Sequence, residues 1–437
     1  MAERQRTRVV IVGGGFGGVY AALELERHVR RDPSIEVTIV SRENFFLFTP
    51  MLHEVAASDL DVTHIVNPVR KMLRHVRFFD GDVVAIDLER CLVVVAHGAD
   101  AHTHDLPYDH LVVALGSVTN FFGLPGLAER ALTMKSLGDA IALRNRLIAL
   151  LEEADTECAA GARDRLLTVV VAGAGFAGVE TIAAVNDFVG EALRYYPNLR
   201  PRMLRMVLVH PGDVILPELT PSLGRYAERK LARRGIDVRP RTKVDAFVDD
   251  VVTLSDGTRL PCATVVWTAG TTPNPLVPTL PCAGDRGRIC VNEHLEVPGW
   301  PGVWAVGDCA ARWSPRTGRR VRTEHWDDAL HAPEVAAATL LGEPTAYDPV
   351  PYVWSEQFGR YLQWVGWRPD DGPAVWRGDP AAGTGWSAAW LDPDGRLTGL
   401  LAVDRPRDAT QARKVIDAGT VVDPGRLADP DVPVRAA

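Results

Sequence analysis

Val9-Val10-Ile11-Val12-Gly13-Gly14-Gly15-Phe16-Gly17-Gly18-Val19-Tyr20 is an apolar run that breaks into glycines and then resumes as a helix pattern. Gly13, Gly15 and Gly18 stand in a G-x-G-x-x-G register, where a tight turn, close approach of a pyrophosphate and close helix-on-strand packing each exclude a side chain. A helix from about Val19 to His28 would aim its unpaired N–H groups and positive dipole end at a diphosphate. A side chain at Gly13 is expected to block the approach path of that diphosphate. Taken singly the motif is weak, but it recurs. Val169-Val170-Val171-Ala172-Gly173-Ala174-Gly175-Phe176-Ala177-Gly178-Val179-Glu180 repeats it, with Gly173, Gly175 and Gly178 each 160 residues after their counterparts. Two dinucleotide-binding units follow from the repetition.

The 437 residues, 46% hydrophobic and 24% charged, fit a soluble globular protein of two to four domains. A net charge of −8 argues against a general nucleic-acid binder, which needs a basic face. The six cysteines are scattered without a C-x-x-C pair or metal-ligand spacing, so neither a dithiol centre nor a metal site is expected. No run approaches the roughly 18 apolar residues of a membrane span. The charged leader Met1 to Arg8 enters the first strand directly, leaving no room for a signal peptide. These features read as a cytoplasmic protein with reduced thiols, and they leave peripheral membrane attachment open.

Along the chain, the strand Glu36–Val40 ends at Ser41, where a carboxylate normally bonds an adenosine ribose. Arg42 and Glu43 follow, so either Ser41 or Glu43 bonds the ribose or the grip is weaker. The aromatic, proline-interrupted run Asn44 to Ala56 is a candidate lining for a flat ring, or else a core filler. Asn67 to His75 reads as an amphipathic helix, and Val76–Phe79, Val83–Asp87 and Leu92–Ala96 as a β-meander. Leu111 to Ser117, through Ala114 and Gly116, is a buried parallel strand with a relative in Val265 to Gly270 after the second unit. In that unit, a helical stretch from Thr133 to Ala154 precedes the glycine loop, and the strand Met206–Val209 ends at His210. An acidic residue there would favour NAD and a nearby arginine NADP, and the histidine settles neither. Glu180 lies near a nicotinamide's expected place, or else complements the helix dipole.

Pro301 to Ala310 is a strand with Gly307 and Asp308 at its carboxyl end, suited to bonding the ribityl or pyrophosphate part of a long cofactor. Its position requires the first domain to be discontinuous. Arg312, Arg316, Arg319, Arg320 and Arg322 form an arginine-rich hairpin that is either solvated or meets an acidic partner or phosphate. Ten of the eleven tryptophans lie at or after Trp300. Alternating strands from about Pro349 and a helix near Asp408–Ala418 form a small α+β domain. The fold expected is α/β: two Rossmann-like domains, one over 1–125 and 292–347, a second over 126–291 inserted into it, and the α+β domain over 348–437.

Two glycine-loop units with a late Gly-Asp strand resemble the two-dinucleotide flavoprotein reductases, in which the first loop holds FAD and the second NAD(P)H. Val9 to about Cys309 resembles type II NADH dehydrogenases through Asn44–Ala56, Asp109–Asn120, Lys135–Arg144 and Val209–Pro217. That resemblance implies FAD on Gly13, Gly15, Phe16, Gly18, Ser41, Arg42, Val83, Ala114, Gly116, Gly307 and Asp308, with Val83 near the adenine and Pro50 close to the isoalloxazine. It implies NADH or NADPH on Gly173, Gly175, Gly178, Glu180, His210 and Gly270.

The glutamine-bearing quinone motif and C-terminal amphipathic anchor of those dehydrogenases are not found. Instead, Arg322–Trp326, Val353–Gln357 and Asp404–Asp408 through Leu427–Pro430 resemble the C-terminal part of bacterial ferredoxin reductases of dioxygenase systems. There a tryptophan matching Trp326 lies beside the flavin, and the third domain helps to receive a small iron–sulfur protein. Their lysine loop is not evident, since residues 44–56 follow the dehydrogenase pattern.

Three functions follow from the two resemblances. The favoured one is an NAD(P)H dehydrogenase passing hydride to FAD N5 and electrons to a quinone, with Glu180, Pro50 and Trp326 bordering the reaction site. The second is a ferredoxin or rubredoxin reductase meeting a small acidic iron–sulfur protein. The third is a redox-sensing flavoprotein resembling apoptosis-inducing factor. A homodimer is compatible with each.

Overall fold

Thr7–Val12 is the central strand of a parallel five-stranded sheet ordered Val303–Ala305, His110–Val113, Thr7–Val12, Ile35–Ser41, Arg77–Asp80. Val9 to Val12 are all buried, as expected of a parallel strand covered on both faces. The computed structural model describes residues 6–357, 359–367 and 373–437, so the first five residues of the charged leader lie outside the described residues. The chain packs as two compact units, one of Met1–Phe48, Thr63–Val118 and Thr271–Asp348, the other of Thr49–Val62, Thr119–Gly270 and Pro349–Ala437.

In the first unit, the helices Phe16–Val29 and Trp326–Leu340 pack against each other. Two local expectations are corrected. The amphipathic helix over Asn67–His75 shrinks to Val69–Met72, because Pro68 occupies its N-cap and Leu73 is already extended. Asn67 instead belongs to the strand Val66–Pro68, paired with Phe45–Leu47. The meander consists of Asp82–Asp87, Leu92–His97 and His102–Pro107, whereas Arg77–Asp80 joins the parallel sheet. The arginine-rich run is a hairpin of Ala310–Ser314 with Arg319–Val321, but it is not simply solvated. Arg312 is buried against Asp348 at 3.1 Å and Asp328 at 3.8 Å. Arg320 donates to the Val291 and Ala311 carbonyls, each at 2.9 Å.

The second unit repeats the first around the parallel sheet Ile236–Arg239, Arg205–Val209, Thr168–Ala172, Thr264–Trp267. The helix Leu137–Thr156 begins at Ser136, whose hydroxyl caps Asp139 N–H while the Asp139 carboxylate caps Ser136 N–H. The short helix Leu52–Ala56 packs on this helix and on Phe176–Ala192.

The C-terminal segment of this unit is an antiparallel sheet of Tyr352–Gln357, Arg360–Gly366, Leu397–Val403, Trp386–Leu391 and Val375–Arg377, with the helix Pro406–Asp417 packed on it. Arg377 is fully buried there. It bonds Asp408 at 3.2 Å and donates to the carbonyls of Leu427, Asp429 and Val432. Asp408 also accepts from Ser387 Oγ at 2.8 Å and pairs with Arg405 at 2.9 Å. Residues of both late motifs, Asp408 in the first and Leu427 and Asp429 in the second, thus converge on one internal guanidinium and hold the last turns of chain to the sheet.

Candidate functional site

In the first unit, Gly13 takes φ +113°, and a Cβ there would overlap the Ala114 carbonyl; at Gly18 it would overlap the Gly13 carbonyl. Both glycines answer to packing within the chain. At Gly13, expected to keep a diphosphate's approach clear, a side chain would also collide with the Ala114 carbonyl. Gly15 differs, because a Cβ would meet nothing within 4 Å. Gly15 is the N-cap of the helix beginning at Phe16, whose first turn has no acidic residue. An open approach to unneutralised helix amides suits a diphosphate. Ser41 ends its strand with Oγ accepting from Glu43 N–H at 3.2 Å. Arg42 lies 3.7 Å from Asp82 in an exposed pair, and Val83 is buried.

Gly116 and Gly307 both have positive φ, at +62° and +72°, and lie just past the carboxyl ends of their strands. Beside them Ser117 Oγ donates to Asp308 Oδ2 at 2.6 Å, and Arg288 Nε donates to the Asp308 carbonyl at 3.1 Å. Asp308 is thus fixed at the carboxyl edge of the parallel sheet, where ligands of such sheets bind. Trp326 opens its helix with its ring 6.4 Å from Phe16 and 6.0 Å from Phe48, while Phe16 lies 4.9 Å from Phe46. Phe46 and Phe48 of the aromatic run therefore join Phe16 and Trp326 in one aromatic cluster. These donors, the open cradle and the flat apolar rings fit a long dinucleotide cofactor.

In the second unit, Gly173 takes φ +103° and its Cβ would lie 2.6 Å from Ala269 Cα; at Gly178 it would lie 2.7 Å from Thr268 Oγ1. Gly270 lies against the Phe122 ring, 2.7 Å from where its Cβ would be. His210 is buried with its ring folded over Gly212, and burial holds its pKa below the ordinary value against the opposing pull of Glu228. A neutral imidazole offers neither a carboxylate for a ribose 2′-hydroxyl nor a fixed cation for a 2′-phosphate.

Glu180 points into a set of side chains that sequence reasoning did not assemble. Ser355 Oγ, fully buried, donates to Glu180 Oε1 at 2.6 Å, and His53 Nδ1 lies 3.8 Å from Oε2. Burial pushes the Glu180 carboxyl up to about 8; the Ser355 bond opposes this and Glu54 adds to it. Burial also pushes His53 down to about 4, against a hydrogen bond to the Pro50 backbone. The 3.8 Å contact has the spacing of an ion pair, yet near pH 7 it joins a neutral imidazole to a largely protonated carboxyl. The helix-dipole alternative is corrected, since the first turn of Phe176–Ala192 contains no acid and Glu180 lies beyond it. Pro50 sits in the turn Thr49–Met51 just before His53. His53 and Glu54 were legible as part of an unusual run and Ser355 as part of the Val353–Gln357 motif, but nothing local paired Ser355 with Glu180.

The pyridine nucleotide-disulphide oxidoreductase family matches residues 7–332, and the reductase C-terminal family matches residues 352–437. Type II NADH:quinone oxidoreductase Ndh of Mycobacterium tuberculosis is 34% identical over 325 residues, 70% of this chain and 68% of that protein. The mitochondrial external alternative NADH-ubiquinone oxidoreductase of Yarrowia lipolytica is 31% identical over 333 residues, and the match spans 56% of its length. The crystal structure of a covalent putidaredoxin reductase–putidaredoxin complex contains a chain that superposes with a TM-score of 0.81 at 26% identity, covering 98% of this chain and 97% of that one. The six cysteines are free. This chain belongs to the pyridine nucleotide-disulphide oxidoreductase family and ends in a reductase C-terminal domain.

Proposed function

We propose that the protein is an FAD-dependent NAD(P)H dehydrogenase that delivers electrons to a quinone. The observation that carries this reading is the Glu180 carboxyl, buried, bonded by Ser355 and still protonated near neutral pH. Reducing a quinone to a hydroquinone consumes two protons, whereas reducing an iron–sulfur protein consumes none. A carboxyl with a pKa near the working pH is suited to general-acid duty. FAD, when bound, supplies acceptance of a hydride from NAD(P)H and return of the electron pair to the acceptor. The chain's own work is to hold one dinucleotide at Gly13–Gly18 and Asp308 and the other at Gly173–Gly178. The aromatic cluster of Phe16, Phe46, Phe48 and Trp326 would border the flavin ring, and Glu180 keeps a proton on its carboxyl beside neutral His53. The relatives by sequence, including those named for NADH:quinone and NADH-ubiquinone activity, support the same reading.

A ferredoxin-type acceptor is the second reading, favoured by the match of residues 352–437 to the reductase C-terminal family and by the putidaredoxin reductase likeness over the whole chain. Internal use of Arg312 and Arg320 weakens the arginine hairpin as a docking surface for an acidic partner. Among the described residues no helix is long and apolar enough to cross a membrane. Unpaired cysteines fit a cytoplasmic setting, and either a monomer or a homodimer is compatible with the proposal. Steady-state NADH and NADPH oxidation with a soluble quinone, and separately with a ferredoxin or rubredoxin, tests it. Turnover with quinone supports the assignment, and turnover confined to the iron–sulfur acceptor overturns it.

A further inference from the structure

The two glycine loops differ in what stands over their middle glycine. At Gly15 a Cβ would meet nothing within 4 Å, whereas at Gly175 it would lie 3.0 Å from Glu218 Oε1. That glycine is small so that a pyrophosphate can come close to the backbone. An atom near its missing Cβ therefore stands in the path of the pyrophosphate. We infer that Glu218 is a built-in anion that competes with the dinucleotide pyrophosphate for the N-terminus of the helix Phe176–Ala192, and must swing away for NAD(P)H to bind. This rests on the reading that the second loop holds NAD(P)H.

Two further observations support the inference. The first turn of Phe176–Ala192 contains no acidic residue, so its positive end is left for a carboxylate from elsewhere. The segment bearing Glu218 is also pinned to the loop, since Leu216 N–H donates to the Ala174 carbonyl at 2.7 Å. The Glu218 side chain itself is exposed, outside the core. The asymmetry matches the two duties of the loops. The uncovered first loop keeps a resident cofactor, while the covered second loop exchanges a co-substrate whose product must leave. Return of the carboxylate favours that release.

Glu218→Gln keeps the size and removes the charge. Its effect is read as the dissociation constant of ADP-ribose, which carries the pyrophosphate without a nicotinamide, measured by calorimetry on the FAD-loaded protein. A carboxylate at a helix N-terminus is worth about 0.3–1 kcal/mol. With tenfold for every 1.4 kcal/mol, the variant is expected to bind ADP-ribose roughly two- to fivefold more tightly, the gain shrinking in concentrated salt. An unchanged or weaker affinity in the variant overturns the inference, the weaker case meaning that Glu218 holds the nucleotide. Failure of the wild-type protein to bind ADP-ribose, NADH or NADPH overturns the cofactor assignment beneath it.

Discussion

Ser355 Oγ donates a 2.6 Å hydrogen bond to Glu180 Oε1, joining the strand Tyr352–Gln357 to the helix of the second glycine loop across 175 residues of sequence. The bond favours the ionised carboxyl and burial favours the protonated one; burial wins, leaving the group at about 8.

Ser355→Ala removes the opposing influence, so the Glu180 pKa rises further. Quinone turnover that needs the protonated carboxyl falls above pH about 8 in the wild type. In the variant that alkaline limb moves to higher pH. A kcat profile from pH 6 to 10 checks this, and an unmoved limb removes Glu180 from the proton-transfer step.

Stability is linked to the same group. The native carboxyl titrates near 8 and the unfolded one near 4.5. Between those values the native state binds more protons, so Glu180 costs progressively more stability as pH rises through that window. Glu180→Gln removes this contribution. Thermal melts at pH 5 and pH 8 are expected to differ less in the variant than in the wild type.

The two kinds of loop glycine separate by mutation. Gly15→Val has open space for its side chain within the protein but fills the pyrophosphate approach, so a folded, flavin-depleted protein is expected. Gly13→Val collides with Ala114 at a backbone angle that favours glycine, and is expected to misfold. Absorbance at 450 nm with circular dichroism distinguishes the cases; a fully yellow Gly15→Val refutes the assignment.

Arg377→Ala leaves the Asp408 carboxylate to Ser387 and Arg405 alone and removes the donor of three backbone carbonyls. Breaking a buried charge pair costs about 3–5 kcal/mol. Denaturant unfolding is expected to show that loss, and a loss below about 1 kcal/mol would mean that solvent replaces the guanidinium.

Both parallel sheets were legible because β-branched runs ending in spaced glycines leave few alternatives, and Asp308 and Glu180 stood at recognisable offsets from those runs. The strand His102–Pro107 was not legible, because its His-Thr-His-Asp sequence lacks an apolar face to alternate. The helix over Asn67–His75 was overread because Pro68 cuts its periodicity. Ser355, Arg377 and Glu218 act through contacts made across long stretches of chain, or with a loop that their own neighbours do not announce. Burial of Arg312 was equally hidden, since a run of five arginines reads as solvated until Asp328 and Asp348 are folded against it.

Anaerobic stopped-flow reoxidation of NADH-reduced wild type and Glu180→Gln, by menadione and by an oxidised ferredoxin, tests the central claim most directly. The account predicts fast reoxidation of the wild type by menadione and slow transfer to ferredoxin. It also predicts menadione reoxidation slowed on the order of 10²-fold in the variant, the contribution of a positioned general acid. Fast transfer to ferredoxin, slow reaction with menadione and no effect of the substitution would contradict it.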